Sequence, residues 1–398
     1  MRILTINTGS SSLKAALYDF GRERRLILSA KADRIGLPHG KLRITDPRGA
    51  FLYAPSDAPP DHGAALDALF AWLRGQGAGQ APNAVGHRVV HGGSAYSEPR
   101  LITDQLAADL RRLVPLDPDH LPQALDAIEA VGRAFPTIPQ AACFDTAFHR
   151  HMPRVAQMYA LPRELWEAGV RRYGFHGLSY EFIMRELRAL DGAAADGKVI
   201  VAHLGNGASM AAVRGGVGIE TTMGFTPIGG LVMGTRPGDL DPGVLLYLLQ
   251  GRGMDAAAVS TLVNRQAGLL GVSGTSGDMR DLLGIAKDDA RAGEAIDLFC
   301  YQARKFLGSL AAALGGLDTL VFTGGIGEHA APVRERICAD MAFLGLHFDP
   351  ERNAADAPII SRDGAPVTIR VMATDEDVMI AGHTHDLLRQ EGGTDVSV

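Results

Sequence analysis

The feature that most constrains this chain is a repeated unit: a short buried strand, a tip of small polar residues, and a returning strand. The first copy is ILTINTGSSSLKAALYD, Ile3 to Asp19. Ile3-Leu4-Thr5-Ile6 reads as a strand rich in β-branched residues, Asn7 to Ser12 as a turn, and Leu13 to Tyr18 as the return. Such a tip offers backbone N–H groups and hydroxyls to an anion, and Lys14 adds a point charge; an ordinary hairpin turn has the same composition. The second copy runs from the strand Val199 to Leu204 through Gly205-Asn206-Gly207-Ala208-Ser209 to the strand Met210 to Val213. Two such hairpins, one per half, point to a duplicated domain whose halves face each other across a cleft and grip a phosphorylated ligand from both sides.

Length and charge narrow the class. The 398 residues call for two domains. A net charge of -6 without a basic run argues against nucleic-acid binding, so any anion site must be local. Cys143, Cys300 and Cys338 are too widely spaced for a metal site and suit a reducing compartment. The chain enters its first strand at once, leaving no room for a signal peptide, and its longest apolar stretch, Phe306 to Leu317, is too short to cross a bilayer. A cytoplasmic protein that binds neither membrane nor nucleic acid is expected.

Between and beyond the hairpins, several polar groups sit where a packed fold would need partners for them. Arg88 lies inside the apolar run Val85 to Val90, so it is either in an internal salt bridge or in contact with an anionic ligand. Asp145 ends the strand Ala141 to Phe144, facing a ligand crevice or capping a helix beyond it. Arg171 to Gly177, RRYGFHG, is a dense cationic and aromatic loop, after which Ser179 is expected to cap a helix to about Leu190. Gly192 to Val199 mimics a P-loop, but it lacks the final Ser/Thr and precedes its strand, so it is rejected. Ile219 to Arg236 is too rich in Gly and Thr for a helix and reads as a long functional loop. Helices are expected over Pro242–Gln250, Glu294–Leu314, from about Pro332, and from about Asp377 to Gln390. Asp278, with Arg280 close by, either binds a nucleotide or caps a helix. Gly325, Gly327 and Ala330 fit a dinucleotide-type glycine turn, though too late in the chain for a Rossmann enzyme. The acidic run Thr374 to Asp377 is a helix N-terminus or a magnesium site.

Taken together, the motifs NTGSSSLK (Asn7 to Lys14), HRVVHGG (His87 to Gly93), FDTAFH (Phe144 to His149), RRYGFHG, HLGNGAS (His203 to Ser209), TMGFTPIGGLVMGTRPGDLDPG (Thr222 to Gly243), GVSGTSGDMRDL (Gly271 to Leu282), FTGGIGEH (Phe322 to His329) and TDED resemble, in this order, those of the acetate kinases. That family lies within the acetate and sugar kinase, heat-shock ATPase and actin superfamily. The resemblance implies an α/β fold of two domains of duplicated ribonuclease H-like (actin-like ATPase) topology, with mixed central sheets flanked by helices. Residues 1–149 plus 378–398 would form the N-terminal, acyl and phosphate side, and 150–377 the nucleotide-binding and dimerising domain.

By the same resemblance, the catalytic set is Asp145, Arg88, Arg236, His176 and His203. Arg88, Val90, Leu116, Phe175 and Pro227 would bind the carboxylic acid. Lys14, His203, Leu204, Gly205, Asn206, Gly207, Asp278, Met279, Arg280, Gly325, Ile326, Gly327 and His329 would hold the nucleotide. Asn7 and Glu376 would hold Mg2+, or Mn2+ in its place. The implied reaction is direct, reversible in-line phosphoryl transfer from ATP to acetate, giving acetyl phosphate and ADP, by a homodimer. The alternatives are a propionate or butyrate kinase of the same family and, more distantly, a non-catalytic nucleotide switch. Four positions depart from the common pattern: Asp117, Leu178, Glu220 and His329.

Overall fold

The computed structural model describes residues 1–9, 12–36, 39–55, 57–76 and 81–393. Ser10 and Ser11, in the first hairpin tip, lie outside the described residues. The chain divides into two compact units, Met1–Ala147 with Asp375–Val398, and Phe148–Thr374. The crossing at Thr374 places Glu376 and Asp377 in the first unit.

The first unit is built on β1 (Arg2–Thr8), β2 (Ser12–Phe20), β3 (Arg24–Asp33), β4 (Lys41–Thr45), β5 (Phe51–Tyr53), β6 (Ala84–Val89), β7 (Arg100–Leu101) and β8 (Gln140–Phe144). These form one sheet in the order β5-β4-β3-β2-β1-β6-β8-β7, in which β1, β6 and β8 run parallel. The central strand β1 has both faces covered, so Ile3, Leu4 and Ile6 are all buried. On one face, the helix His62–Gly75 presents Leu66, Leu69, Phe70 and Leu73 at helical spacing to Leu4, Ile6, Leu17 and Val85. Asp61 caps this helix by accepting from the Ala64 N–H. The C-terminal helix Glu376–Gly393 returns to the same sheet, with Val378, Ile380 and Ala381 buried against β1, β6 and β8.

The second unit repeats the plan. Its strands β9 (Lys198–Leu204), β10 (Ala208–Arg214), β11 (Val217–Thr221), β12 (Thr319–Thr323) and β13 (Thr368–Val371) take the order β11-β10-β9-β12-β13. Strands β9, β12 and β13 are parallel, and β9-β10-β11 form an antiparallel meander. The five-strand order and directions match β3-β2-β1-β6-β8 of the first unit, so the duplication suggested by two hairpins extends to both sheets. The helix Gly177–Asp191 packs Tyr180, Ile183 and Leu187 onto Val199, Val201, Ala211 and Val321.

Several element boundaries differ from expectation for local reasons. The long helix starts at Ala290, not Glu294, because Asp289 caps it through the Arg291 N–H. The glycine turn after β12 is itself helical over Gly324–His329, followed by a second helix at Ala331–Cys338. The helix at Pro242–Leu246 continues as a π-helical turn, Tyr247–Gly251.

Candidate active site

In the first unit the site grows from the C-terminal ends of the three parallel strands, the usual ligand edge of such sheets. Register sets Ile6 of β1 beside His87 of β6, and Arg88 beside Cys143 of β8. Arg88 therefore emerges between Asn7 and Asp145. Its Nη2 donates to Asp145 Oδ2 at 2.5 Å, Nε to Oδ1 at 3.0 Å, and Nη1 to Asn7 Oδ1 at 3.2 Å. Asn7 Nδ2 donates in turn to Glu376 Oε2 at 2.8 Å, and Glu376 lies 4.0 Å from Arg88 Nε. Burial works against the Arg88 charge, but Asp145 and Glu376 outweigh it and hold the guanidinium above its ordinary value.

Of the two sequence readings of Arg88, the structure shows the internal ion pair. Arg88 is paired with a fully buried carboxylate, yet its own side chain stays 14 % exposed. Asp145 makes that pair and is no helix cap, because the residues after it form only the short 3₁₀ turn Ala147–His149. Val90, just past β6, is buried, and Leu116, on a 3₁₀ turn, is half-buried. Asp117, one of the four departures, is buried and lies 2.8 Å from His120 Nδ1. Lys14 stands opposite Asn7 on β2 and its side chain is exposed.

In the second unit the two histidines come together. His203 is the penultimate residue of β9, in register with Thr323 of β12. His176 takes a left-handed conformation (φ 58°) immediately before the helix. That helix begins at Gly177, so Ser179 is inside its first turn and does not cap it. The imidazoles of His176 and His203 stack with centroids 4.3 Å apart. A methyl at Gly207 would come 2.7 Å from Arg236 Nη2 and 3.3 Å from His176 Nε2, and one at Gly205 would come 4.0 Å from His203 Nε2. Arg236, His176 and His203 therefore all border the tip of the second hairpin. Arg236 Nη1 also donates to the Pro227 carbonyl at 2.6 Å, which ties down the long loop. Phe175 and Pro227 are buried.

The nucleotide candidates gather only in part. Gly324 (φ 76°) lies against the backbone of Leu204, which places the Gly324–His329 turn beside the hairpin. The Gly234 N–H donates to the Asn206 carbonyl at 3.0 Å, and Gly277 packs on Gly234, bringing the Asp278 loop alongside. Asp278 does cap its helix, accepting from the Arg280 N–H at 2.8 Å, and also pairs with the Arg280 guanidinium. Met279 is buried in that helix start, whereas Arg280 is 89 % exposed. His329 is 74 % exposed and lies 3.9 Å from Glu328. Glu220 takes a definite role: it accepts from the Thr221 N–H and faces Arg172, whose Nη1 reaches the carbonyls of Thr221, Thr222 and Met223. Leu178 is core. Sequence reasoning missed Arg172 as an organiser of the loop entrance; its only signal was a place in a polar cluster.

Two sheets of one repeated order, each with polar side chains gathered at the ends of its parallel strands, define the duplicated ribonuclease H-like, actin-like fold. The acetokinase family model matches residues 2–382. The chain belongs to the acetokinase family. It is 50% identical over 389 residues to an acetate kinase of Rhodopseudomonas palustris, covering 96% of this chain and 97% of that one. An acetate kinase of Methylocella silvestris is 45% identical over 400 residues, covering 98% of each chain. Among solved structures, the acetate kinase of Porphyromonas gingivalis matches with a TM-score of 0.85 at 38% identity, covering 97% of this chain and 99% of that one. A propionate kinase from Francisella tularensis matches with a TM-score of 0.89 at 36% identity and the same coverage.

Proposed function

We propose that the chain is an acetate kinase, transferring the γ-phosphoryl group of ATP directly to a carboxylate oxygen of acetate and running in reverse. One carboxylate oxygen attacks phosphorus as the bond to the β–γ bridging oxygen breaks, giving acetyl phosphate and ADP. Both reactants are anionic and a carboxylate is a weak nucleophile, so the residues act by positioning and by neutralising charge. Arg88, held in place by Asp145, draws in the acid. Arg236, His176 and His203 stabilise charge on the phosphoryl oxygens. The Gly205-Asn206-Gly207 tip and the Gly324–His329 turn hold the nucleotide, with Asp278 shaping its neighbouring loop and Lys14 adding positive charge to the first unit.

The residues around Glu376 fit a magnesium ion. A carboxylate and a carboxamide are hard oxygen ligands, and magnesium keeps waters and takes phosphate oxygens rather than a full protein cage. Asn7 and Glu376 would hold the ion, which offsets phosphate charge when bound.

The observation that carries the reading is Arg88, a buried-strand guanidinium fixed by a bidentate carboxylate yet still reachable. A pure nucleotide switch has no use for it. A propionate kinase is the second reading, favoured by the TM-score of 0.89 to that enzyme. Buried Val90 speaks for the smaller acid. The test is ATP-dependent hydroxamate formation across acetate, propionate and butyrate. Turnover highest on acetate supports the proposal, and turnover highest on a longer acid replaces it with the second reading.

A homodimer formed through the second unit is part of the same proposal. It is supported by the exposed apolar side chains Leu240, Val244, Leu246, Tyr247 and Leu249 along one short segment. No helix among the described residues is long and apolar enough to cross a membrane, and we place the enzyme in the cytoplasm.

A further inference from the structure

Each of the two stacked imidazoles is held from behind by a buried hydroxyl. His176 Nδ1 lies 2.8 Å from Ser209 Oγ, and Ser209 Oγ is in turn hydrogen-bonded to the Tyr180 hydroxyl. His203 Nδ1 lies 2.8 Å from Ser179 Oγ, which lies 2.8 Å from Thr374 Oγ1. Ser179, Tyr180 and Ser209 are fully buried. Ser209 is the antiparallel partner of His203 on β10, so the sheet fixes its position. Ser179 and Tyr180 come from the first turn of the helix that His176 itself precedes. The Nε2 atoms of both rings lie toward the glycine tip that also borders Arg236.

We infer that Ser209 and Ser179 are positioning residues for the phosphoryl transfer, one for each histidine. A ring held at Nδ1 can neither flip nor slide along its neighbour, so both Nε2 atoms stay directed to one place. A bond at Nδ1 also selects which tautomer the ring adopts, and hence whether Nε2 offers a proton or a lone pair. Tyr180 is a second partner of the Ser209 hydroxyl, so the proton arrangement of the Tyr180–Ser209 bond and the tautomer of His176 are linked. Each stacked ring has its own serine at Nδ1, Ser209 for His176 and Ser179 for His203. The inference rests on the kinase reading for its chemistry but not for its geometry.

The test uses the full chain with Ser209→Ala, Ser179→Ala and Tyr180→Phe. By analogy with the outer partners of metal-bound histidines, whose loss costs about 10- to 100-fold, each serine variant is expected to lose kcat by that factor, with KM for ATP within about threefold. Long-range ¹⁵N–¹H spectra of the histidine rings separate orientation from damage. Ser209→Ala should change the tautomer signature of His176 and leave that of His203, and Ser179→Ala should do the reverse. Tyr180→Phe should alter His176 alone, and less strongly. Unchanged ring spectra or wild-type kcat in a folded serine variant would overturn the inference, as would both rings changing in every variant. If one serine variant does not fold, the other histidine's pair decides alone. A wild-type protein without phosphotransfer would refute the kinase reading, while the ring spectra would still test the geometry.

Discussion

Replacing Gly207 by alanine should disable the enzyme without unfolding it. Gly207 is not at positive φ, so alanine can take its backbone conformation, and shrinking the unfolded ensemble is worth roughly 0.4–1 kcal/mol in the variant's favour. The new methyl, however, would stand 2.7 Å from Arg236 Nη2 and 3.3 Å from His176 Nε2. The arginine contact is roughly 0.7 Å short of the 3.4 Å at which ordinary contact begins. The group that must yield is the far end of a flexible side chain, so the fold relaxes by moving the Arg236 guanidinium, which weakens its bond to the Pro227 carbonyl. A misplacement near 1 Å costs on the order of 10² in rate when the displaced group must meet developing charge. The expected result is kcat down about 10²-fold and stability within about 1 kcal/mol of wild type. Gly324→Ala is the contrast. At φ 76° its methyl would meet Leu204 backbone atoms at 2.7 and 3.1 Å, which cannot swing away, so a loss of about 2 kcal/mol or more is expected. Steady-state kinetics and urea melts on both variants check this. Wild-type turnover in Gly207→Ala, or equal destabilisation of the two, would refute the reasoning.

Arg88→Ala should lower kcat by about 10² or more and also cost stability, roughly 3–5 kcal/mol, because it leaves the fully buried Asp145 unpaired; Arg88→Ala with Asp145→Asn should recover much of the stability in denaturant melts and none of the activity. Burial pushes His87 and His149 down to about 4, so between about pH 4 and 6.5 the unfolded chain binds more protons than the folded one. Stability should therefore fall as pH drops through that window, by up to about 3 kcal/mol per histidine, and His149→Gln should flatten the profile in urea melts taken across it. Val90→Ala should improve propionate relative to acetate by on the order of tenfold in kcat/KM with KM for ATP nearly unchanged; altered ATP use without altered acid preference would remove Val90 from the acyl pocket. Sedimentation at micromolar concentration should show a dimer, and Tyr247→Glu with Leu246→Glu should shift it to monomer.

The repeating unit and the motifs strung along it are legible in the residues alone. A strand announces itself by apolar runs and a turn by Gly, Ser and Asn, so the hairpins Ile3–Asp19 and Val199–Val213, and the helix after Asp61, are readable from local chemistry. The family resemblance gives Arg88, Asp145, Arg236, His176 and His203 their expected roles. Which of these groups meet is settled by the folded chain. Arg88 joins Asp145 because β6 and β8 run parallel in one register, and Glu376 joins Asn7 because the last helix returns to the first strand from the far end of the chain. Local sequence carries no information about such pairings. Ser179 shows the limit most plainly. A serine near a helix start suits a cap, and sequence spacing alone favours that role. The helix instead begins at Gly177, directly after the left-handed turn at His176, and the Ser179 hydroxyl goes to His203. Backbone conformation at one residue, fixed by packing around it, turns an expected cap into a partner for a histidine on another strand.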